Sequence, residues 1–208
     1  MPPKPRSVIR KRPQQIRSQE TVDVILEATE RIIQKLGFDA STTTRICEIA
    51  GVSVGTLYQY FPNKGSLLLA LSQRRSERFI ARFRARLAEV EALPLSEAIR
   101  QVVALEFEMV RLSLPFQREL FRCVPKLGST EHIEHTQREC RRLLNESMSR
   151  RPELLQRSEL SAFVTLHAVD GVIQGALRES LELLHSDALV NECTRLIEQY
   201  LRHPPSSS

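Results

Sequence analysis

Residues 51–66 read GVSVGTLYQYFPNKGS, and within four positions they hold Tyr58, Tyr60 and Phe61, three of the chain's 11 aromatic residues. Consecutive side chains on a helix spread around its axis, so these three cannot share one buried face. Some of them must point outward. Gly51 is a helix stop, Ser53 is an N-cap, and the spacing predicts a short helix from Val54 to about Phe61, with Leu57 and Phe61 one turn apart and facing inward. Val54, Gly55, Thr56, Tyr58, Gln59 and Tyr60 are then expected to form the outer surface. Pro62 breaks the chain, and Asn63 is set to cap a longer helix beginning at Lys64.

Upstream, STTTRICEIAG predicts another short helix capped by Thr43 or Thr44, with Ile46, Ile49 and Ala50 inward. Before it, Val22, Ile25, Leu26, Ile32, Ile33 and Leu36 recur at three- and four-residue steps and stop at Gly37, which predicts a helix over about 19–36. Two short helices joined by a turn around a glycine make a helix-turn-helix, whose second member enters the DNA major groove. The outward tyrosines thereby gain a purpose. Tyr and Thr hydroxyls, capped-helix amides and a lysine at a helix start grip phosphate oxygens. The Gln59 amide can pair with adenine, Gly55 permits close approach to the groove floor, and Val54 can meet a thymine methyl.

Residues 1–19 carry Lys4, Arg6, Arg10, Lys11, Arg12 and Arg17 with no acid, while the whole chain nets +5. This Pro-rich basic arm is attracted to polyanions, and Arg10, Lys11, Arg12 and Arg17 are candidates to follow the adjacent minor groove; a plain solubilising tail is the alternative. The 208 residues include 41% hydrophobic ones, enough for a sizeable core. No run approaches the roughly 18 apolar residues of a membrane span and no signal-peptide core is seen, so the expectation is a cytoplasmic protein with no membrane partner. Cys47, Cys123, Cys140 and Cys193 show no zinc or disulfide spacing and read as core residues, with redox sensing the alternative. No metal or cofactor is expected.

The segment TTTRICEIAGVSVGTLYQYFPNKGSLLLAL, Thr42 to Leu71, resembles the DNA-binding signature of the tetracycline-repressor (TetR) family of bacterial regulators. With the preceding helix, the resemblance covers about residues 19–72. It implies that Thr44, Ser53, Tyr58, Tyr60 and Lys64 contact phosphates and that Val54, Gly55, Thr56 and Gln59 face bases. Cys47 and Gly65 depart from the usual pattern, and Gly65 weakens the start of its helix.

Periodicity continues to the end of the chain: from Leu67 onward Leu68, Leu71, Phe79, Ile80, Phe83 and Leu87 fit one long helix, and further helices are expected at about 95–113, 116–124, 130–149, 157–184 and 187–202. Arg75, Arg78 and Arg82 read as a solvated face. The fold expected is all-α: a flexible arm (1–18), a three-helix helix-turn-helix domain (19–65), a larger helical effector-binding and dimerisation domain (66–203) and a disordered tail (204–208). The family resemblance implies a homodimer formed through the last two helices, where Gly171 and Gly175 are candidate interface positions. It also implies a C-terminal effector cavity, for which Phe107, Met109, Phe116, Phe121, Phe163 and His167 are candidates; ordinary core is the alternative. His167 and Asp170 read as a structural or interface pair, a ligand site or, last, a catalytic pair, for which no nucleophile, metal set or phosphate loop stands nearby.

The function expected is a transcriptional repressor that binds a palindromic double-stranded operator and is released by a small-molecule effector. A DNA-binding dimer governed by a protein partner is the rival, and an all-α enzyme is a distant third.

Overall fold

The computed structural model describes residues 16–112, 114–123, 131–154 and 159–202. Among these there are helices and turns and no strand. The chain divides into two compact units, residues 1–76 with 113–133, and 77–112 with 134–208.

The first unit contains α1 (Ile16–Leu36), α2 (Thr43–Ala50), α3 (Val54–Tyr60), the start of α4 (Lys64–Glu89) and, further along the sequence, α6 (Leu114–Cys123). Its core takes Val22, Ile25 and Ile33 from α1, Ile46 and Cys47 from α2, Leu57 and Phe61 from α3 and its cap, Leu67, Leu68 and Leu71 from α4, and Phe116 from α6. Thr42, rather than Thr43 or Thr44, caps α2, its side chain accepting from the Arg45 amide at 3.3 Å. Ile49 is exposed where it was expected inside, because Ile46 and Cys47 already occupy the inward face of so short a helix. Gly51 closes α2 at φ 66°, a left-handed conformation that costs glycine nothing.

Gly65 does not leave α4 weakly started. The Asn63 side chain accepts from the Ser66 amide at 2.9 Å, and Ser66 Oγ accepts from the Asn63 amide at 3.3 Å while donating to the Asn63 carbonyl at 2.6 Å. This is a reciprocal capping box with serine as its second member. Arg75 is not a solvated residue either. It pairs with Glu30 at 3.2 Å and lies 5.1 Å from the Phe116 ring centre, whereas Arg78 and Arg82 are exposed as expected.

The second unit packs the end of α4 with α5 (Leu95–Arg111), α7 (Glu131–Ser149), α8 (Glu159–Glu179) and α9 (Asp187–Arg202). α5 contacts both α8 and α9, which contact each other. α8 ends at Glu179, earlier than expected, and a 3₁₀ turn, Leu181–His185, takes over the pattern that extended it. By length and composition α8 also passes the test for a membrane-crossing helix, contrary to the expectation that no segment would. Its Ala162, Thr165, Val169, Ile173 and Ala176 are buried within the unit. Arg151 is buried and donates to the Leu93 carbonyl at 3.1 Å and the Val90 carbonyl at 2.8 Å, satisfying the turn between α4 and α5.

The capping box yields the first prediction. Ser66→Ala removes the Ser66 hydroxyl's half of the reciprocal pair, while the amide at position 66 still donates to Asn63. The loss costs about 1 kcal/mol, a fall of about 2–4 °C in Tm for a chain of this size. Thermal unfolding followed by circular dichroism checks it, and an unchanged Tm would show that Asn63 alone starts α4.

Candidate nucleic-acid interface and an apolar cavity

α3 is seven residues long, too short to persist by itself, and is fixed at both ends. At its start Ser53 Oγ accepts from the Thr56 amide at 3.0 Å and shares a 2.8 Å hydrogen bond with the Thr56 hydroxyl. At its end Phe61, fully buried, donates its amide to the Leu57 carbonyl. With Leu57 and Phe61 held inside, Ser53, Val54, Gly55, Tyr58 and Gln59 stand on the exposed side and Thr56 is half-buried. A Cβ added at Gly55 would meet only Ser53 Oγ, at 3.7 Å, so the space above Gly55 is open. The Tyr58 hydroxyl lies 3.4 Å from Thr43 Oγ1, joining the outer faces of α2 and α3.

Two expectations for this surface need correction. Tyr60 is 8% exposed and belongs to the core, because it lies one turn beyond the buried Leu57 side of the helix rather than on the Tyr58 face. Lys64 is turned toward the α1–α2 connection. Its ammonium donates to the carbonyls of Phe38 (2.7 Å), Asp39 (3.2 Å) and Ser41 (3.1 Å), and it stands 4.4 Å from the Phe38 ring centre. An ammonium has three protons, and all are engaged. The same connection is held from α6, where the Glu119 carboxylate accepts from the Phe38 amide at 3.1 Å and Arg122 pairs with both Asp39 and Glu119.

Thr44 is exposed on α2, and beside it stands a cation that the sequence reading passed over, Arg45, exposed and in no ion pair among the described residues. Its signal was the TTTR run itself, a basic side chain directly after three hydroxyls. Arg10, Lys11 and Arg12 lie outside the described residues; Arg17 falls in the first turn of α1, its side chain likewise outside them.

The second unit holds an apolar cavity of about 570 Å³, open mouth included. Phe83, Leu87, Val103, Leu144, Val169 and Ile197 are among its walls, and Glu106, Ser147, Arg151 and Thr165 are its polar members. Of the six side chains expected to line a cavity, none of the five described ones lines this one. Phe107 is buried and Met109 half-buried elsewhere in the second unit, Phe116 sits in the first unit's core, and the Phe121 side chain lies outside the described residues. Phe163 and His167 are exposed on α8, their rings 4.2 Å apart edge to face. Helical periodicity marks which residues turn inward and not which of them border a void. Asp170 accepts from Gln174 at 3.2 Å rather than pairing with His167.

Burial, with the negative charge of Asp170 added, pushes the Glu106 carboxyl up from its ordinary 4.5 to about 8. Burial likewise pushes the Cys140 thiol up to about 12 and raises Cys47 and Cys193. All four cysteines are buried and outside any disulfide, and the raised thiols of Cys47, Cys140 and Cys193 disfavour the reactive thiolate. Among the described residues no group of His, Cys, Asp and Glu is arranged to hold a metal.

The family model described as "Bacterial regulatory proteins, tetR family" matches residues 25–71, and that described as "Tetracyclin repressor-like, C-terminal domain" matches residues 94–201. The HTH-type transcriptional repressor KstR of Mycolicibacterium smegmatis is 46% identical over 58 residues, 28% of this chain and 28% of KstR. The chain spans about a third of the length of the curated relatives it matches. Among solved structures, a TetR-family transcriptional regulator from Streptomyces coelicolor superposes with a TM-score of 0.67 at 25% identity, covering 88% of this chain and 97% of that one. FadR of Bacillus subtilis, solved in complex with stearoyl-CoA, shares the fold with a TM-score of 0.62 at 19% identity, covering 86% of this chain and 97% of that one.

The raised Glu106 carboxyl yields the second prediction. Between about pH 4.5 and about pH 8 the folded chain holds a proton there that the unfolded chain has lost, so this group makes stability fall as pH rises through that window and then level off. Glu106→Gln removes the slope, so the drop in Tm between about pH 5 and about pH 9 should shrink relative to the parent chain. An unchanged drop would show that the carboxyl is ionised throughout.

Proposed function

This chain belongs to the TetR family of bacterial DNA-binding transcriptional regulators, and within that family we propose that it is a homodimeric repressor released from a palindromic operator by a small molecule. The observation that carries the DNA-reading part is α3: a short, doubly fixed helix with Val54, Gly55, Tyr58 and Gln59 on its open side. Val54, Gly55, Thr56 and Gln59 are the base-facing set. Thr44, Ser53 and Tyr58 contact phosphates, Arg45 joins them, and Lys64 and Tyr60 serve by holding α3 and its neighbours in position rather than by touching DNA. The basic arm, with Arg10, Lys11, Arg12 and Arg17, supplies sequence-independent attraction.

The apolar cavity favours a small-molecule effector over control by a protein partner alone. KstR carries the name of a repressor and FadR was solved with stearoyl-CoA, which support repression and a largely apolar effector here. Coupling is thermodynamic: an effector that prefers the arrangement in which two recognition helices miss their half-sites weakens operator binding by its difference in affinity. The proposed dimer face is α8 with α9, where Leu160, Phe163, Val164 and Leu196 are exposed, Gly171 and Gly175 lie open, and no atom stands within 4 Å of a Cβ added at either glycine.

Selection of bound sequences from a random DNA library tests the reading helix. Gln59→Ala should change the base preference, while Tyr58→Phe should weaken binding to all sequences alike. An unchanged motif for the Gln59 variant removes that residue from the reading set. The dimer face is tested by Gly175→Leu: the added side chain has open space within one chain, so only an approaching second helix makes it costly, by about 1–3 kcal/mol. Sedimentation should show a weakened dimer together with weaker operator binding. A fully dimeric variant with normal DNA affinity would move the interface elsewhere.

A further inference from the structure

Among the buried threonines of the helices, Thr29 and Thr194 each donate to the carbonyl one turn back, Ile25 at 2.7 Å and Val190 at 2.8 Å. Thr165 does not. Its hydroxyl is buried, has no partner among the described residues, and belongs to the cavity wall. A hydroxyl shut away from both water and protein acceptors forfeits about 1–3 kcal/mol, so its failure to take the usual carbonyl bond points to a ligand atom as its partner. The other polar groups of the cavity narrow what that atom can be. Arg151 directs both of its Nη atoms at protein acceptors, the carbonyls of Leu93 and Val90 and the Glu153 carboxylate, so its charge is already paired within the chain. Glu106 has no hydrogen bond or ion pair among the described residues, and the negative charge of Asp170 acts on it.

We infer that the cavity of the second unit takes an uncharged, largely hydrocarbon molecule bearing one hydrogen-bonding oxygen, a hydroxyl or a carbonyl, recognised by Glu106 on α5 and Thr165 on α8. This rests on the effector reading and gives that effector a chemical class. An anionic head meets the charge of Asp170, while the cation on the wall, Arg151, is already paired with Glu153, so its desolvation among Leu, Val, Ile and Phe side chains is poorly compensated. A cationic head must first strip the proton that burial keeps on Glu106, and must shed its own hydration as well. A neutral oxygen needs neither: the protonated carboxyl donates to it, in the manner of other carboxylic acids kept neutral by apolar sites, and the Thr165 hydroxyl completes the contact.

The test uses the full chain and four probes with the same twelve-carbon skeleton, 1-dodecanol, 2-dodecanone, dodecanoate and dodecylammonium, titrated calorimetrically at neutral pH below micelle formation. The alcohol and the ketone should bind about tenfold more tightly than either ion. Thr165→Val and Glu106→Leu should each weaken the alcohol by about threefold to tenfold, the worth of one hydrogen bond. Glu106→Gln, which keeps a neutral donor of the same shape, should stay within about threefold of the parent. Circular dichroism of each variant guards against misfolding. Tightest binding by dodecylammonium, lost in Glu106→Gln, would make Glu106 a counter-charge and overturn the inference. Tightest binding by dodecanoate, or binding by none of the four, would also overturn it. The effector reading has its own readout: binding in the expected order without release of the library-selected DNA would sink that reading while leaving the ligand class standing.

Discussion

A helix of seven residues cannot hold itself together in water, because ordering its first turn costs more than its few hydrogen bonds return. The DNA-facing surface therefore depends on Leu57 and Phe61 being buried completely. Each large apolar side chain taken out of water contributes about 1.5–3 kcal/mol, several times what propensity contributes in so short a segment. The outward direction of Val54, Tyr58 and Gln59 is a consequence of where those two anchors point. Tyr60 strengthens the anchor, and for that reason it is lost to the outer face.

The same economy governs the connection after α1. Residues 37–41 lie between helices, and Lys64 collects the carbonyls of Phe38, Asp39 and Ser41 at once. The Phe38 amide and the Asp39 carboxylate are met by Glu119 and Arg122 of α6. Because α1 and α6 are about eighty residues apart in sequence, this contact makes the first unit a discontinuous stretch of chain. The start of α2, and with it the angle at which α3 is presented, is set in part by residues far downstream of the helix-turn-helix.

That contact marks where the sequence is legible and where it is not. Helix-turn-helix geometry is written locally: Gly51 in a left-handed turn, Ser53 as a cap and Leu57 with Phe61 as anchors all appear as three- and four-residue relations, and the structure contains them. Lys64 and Arg75 misled because a basic residue on a helix looks the same whether it meets solvent or an internal acceptor from a segment remote in sequence. The cavity misled for a related reason. Phe107 and Phe116 are inward by periodicity, yet bordering a void depends on how three or four helices fail to fill space together.

α8 joins these threads. A helix apolar on every side must be covered on every side, and α8 is nearly that, which is why composition alone makes it resemble a membrane-crossing segment. One face, with Ala162, Thr165, Val169 and Ile173, is covered by the second unit itself and forms part of the cavity wall. The other, with Leu160, Phe163, Val164 and Gly171, is exposed in the single chain. Under the proposed reading that second face is covered by another subunit, so one rigid helix carries ligand-facing groups on one side and subunit-facing groups on the other. A packed helix tilts or slides as a body rather than deforming, so a molecule that draws Thr165 into a new hydrogen bond acts on the intersubunit contact through the same element. The cavity and the intersubunit contact then share one element, provided the dimer is built on α8.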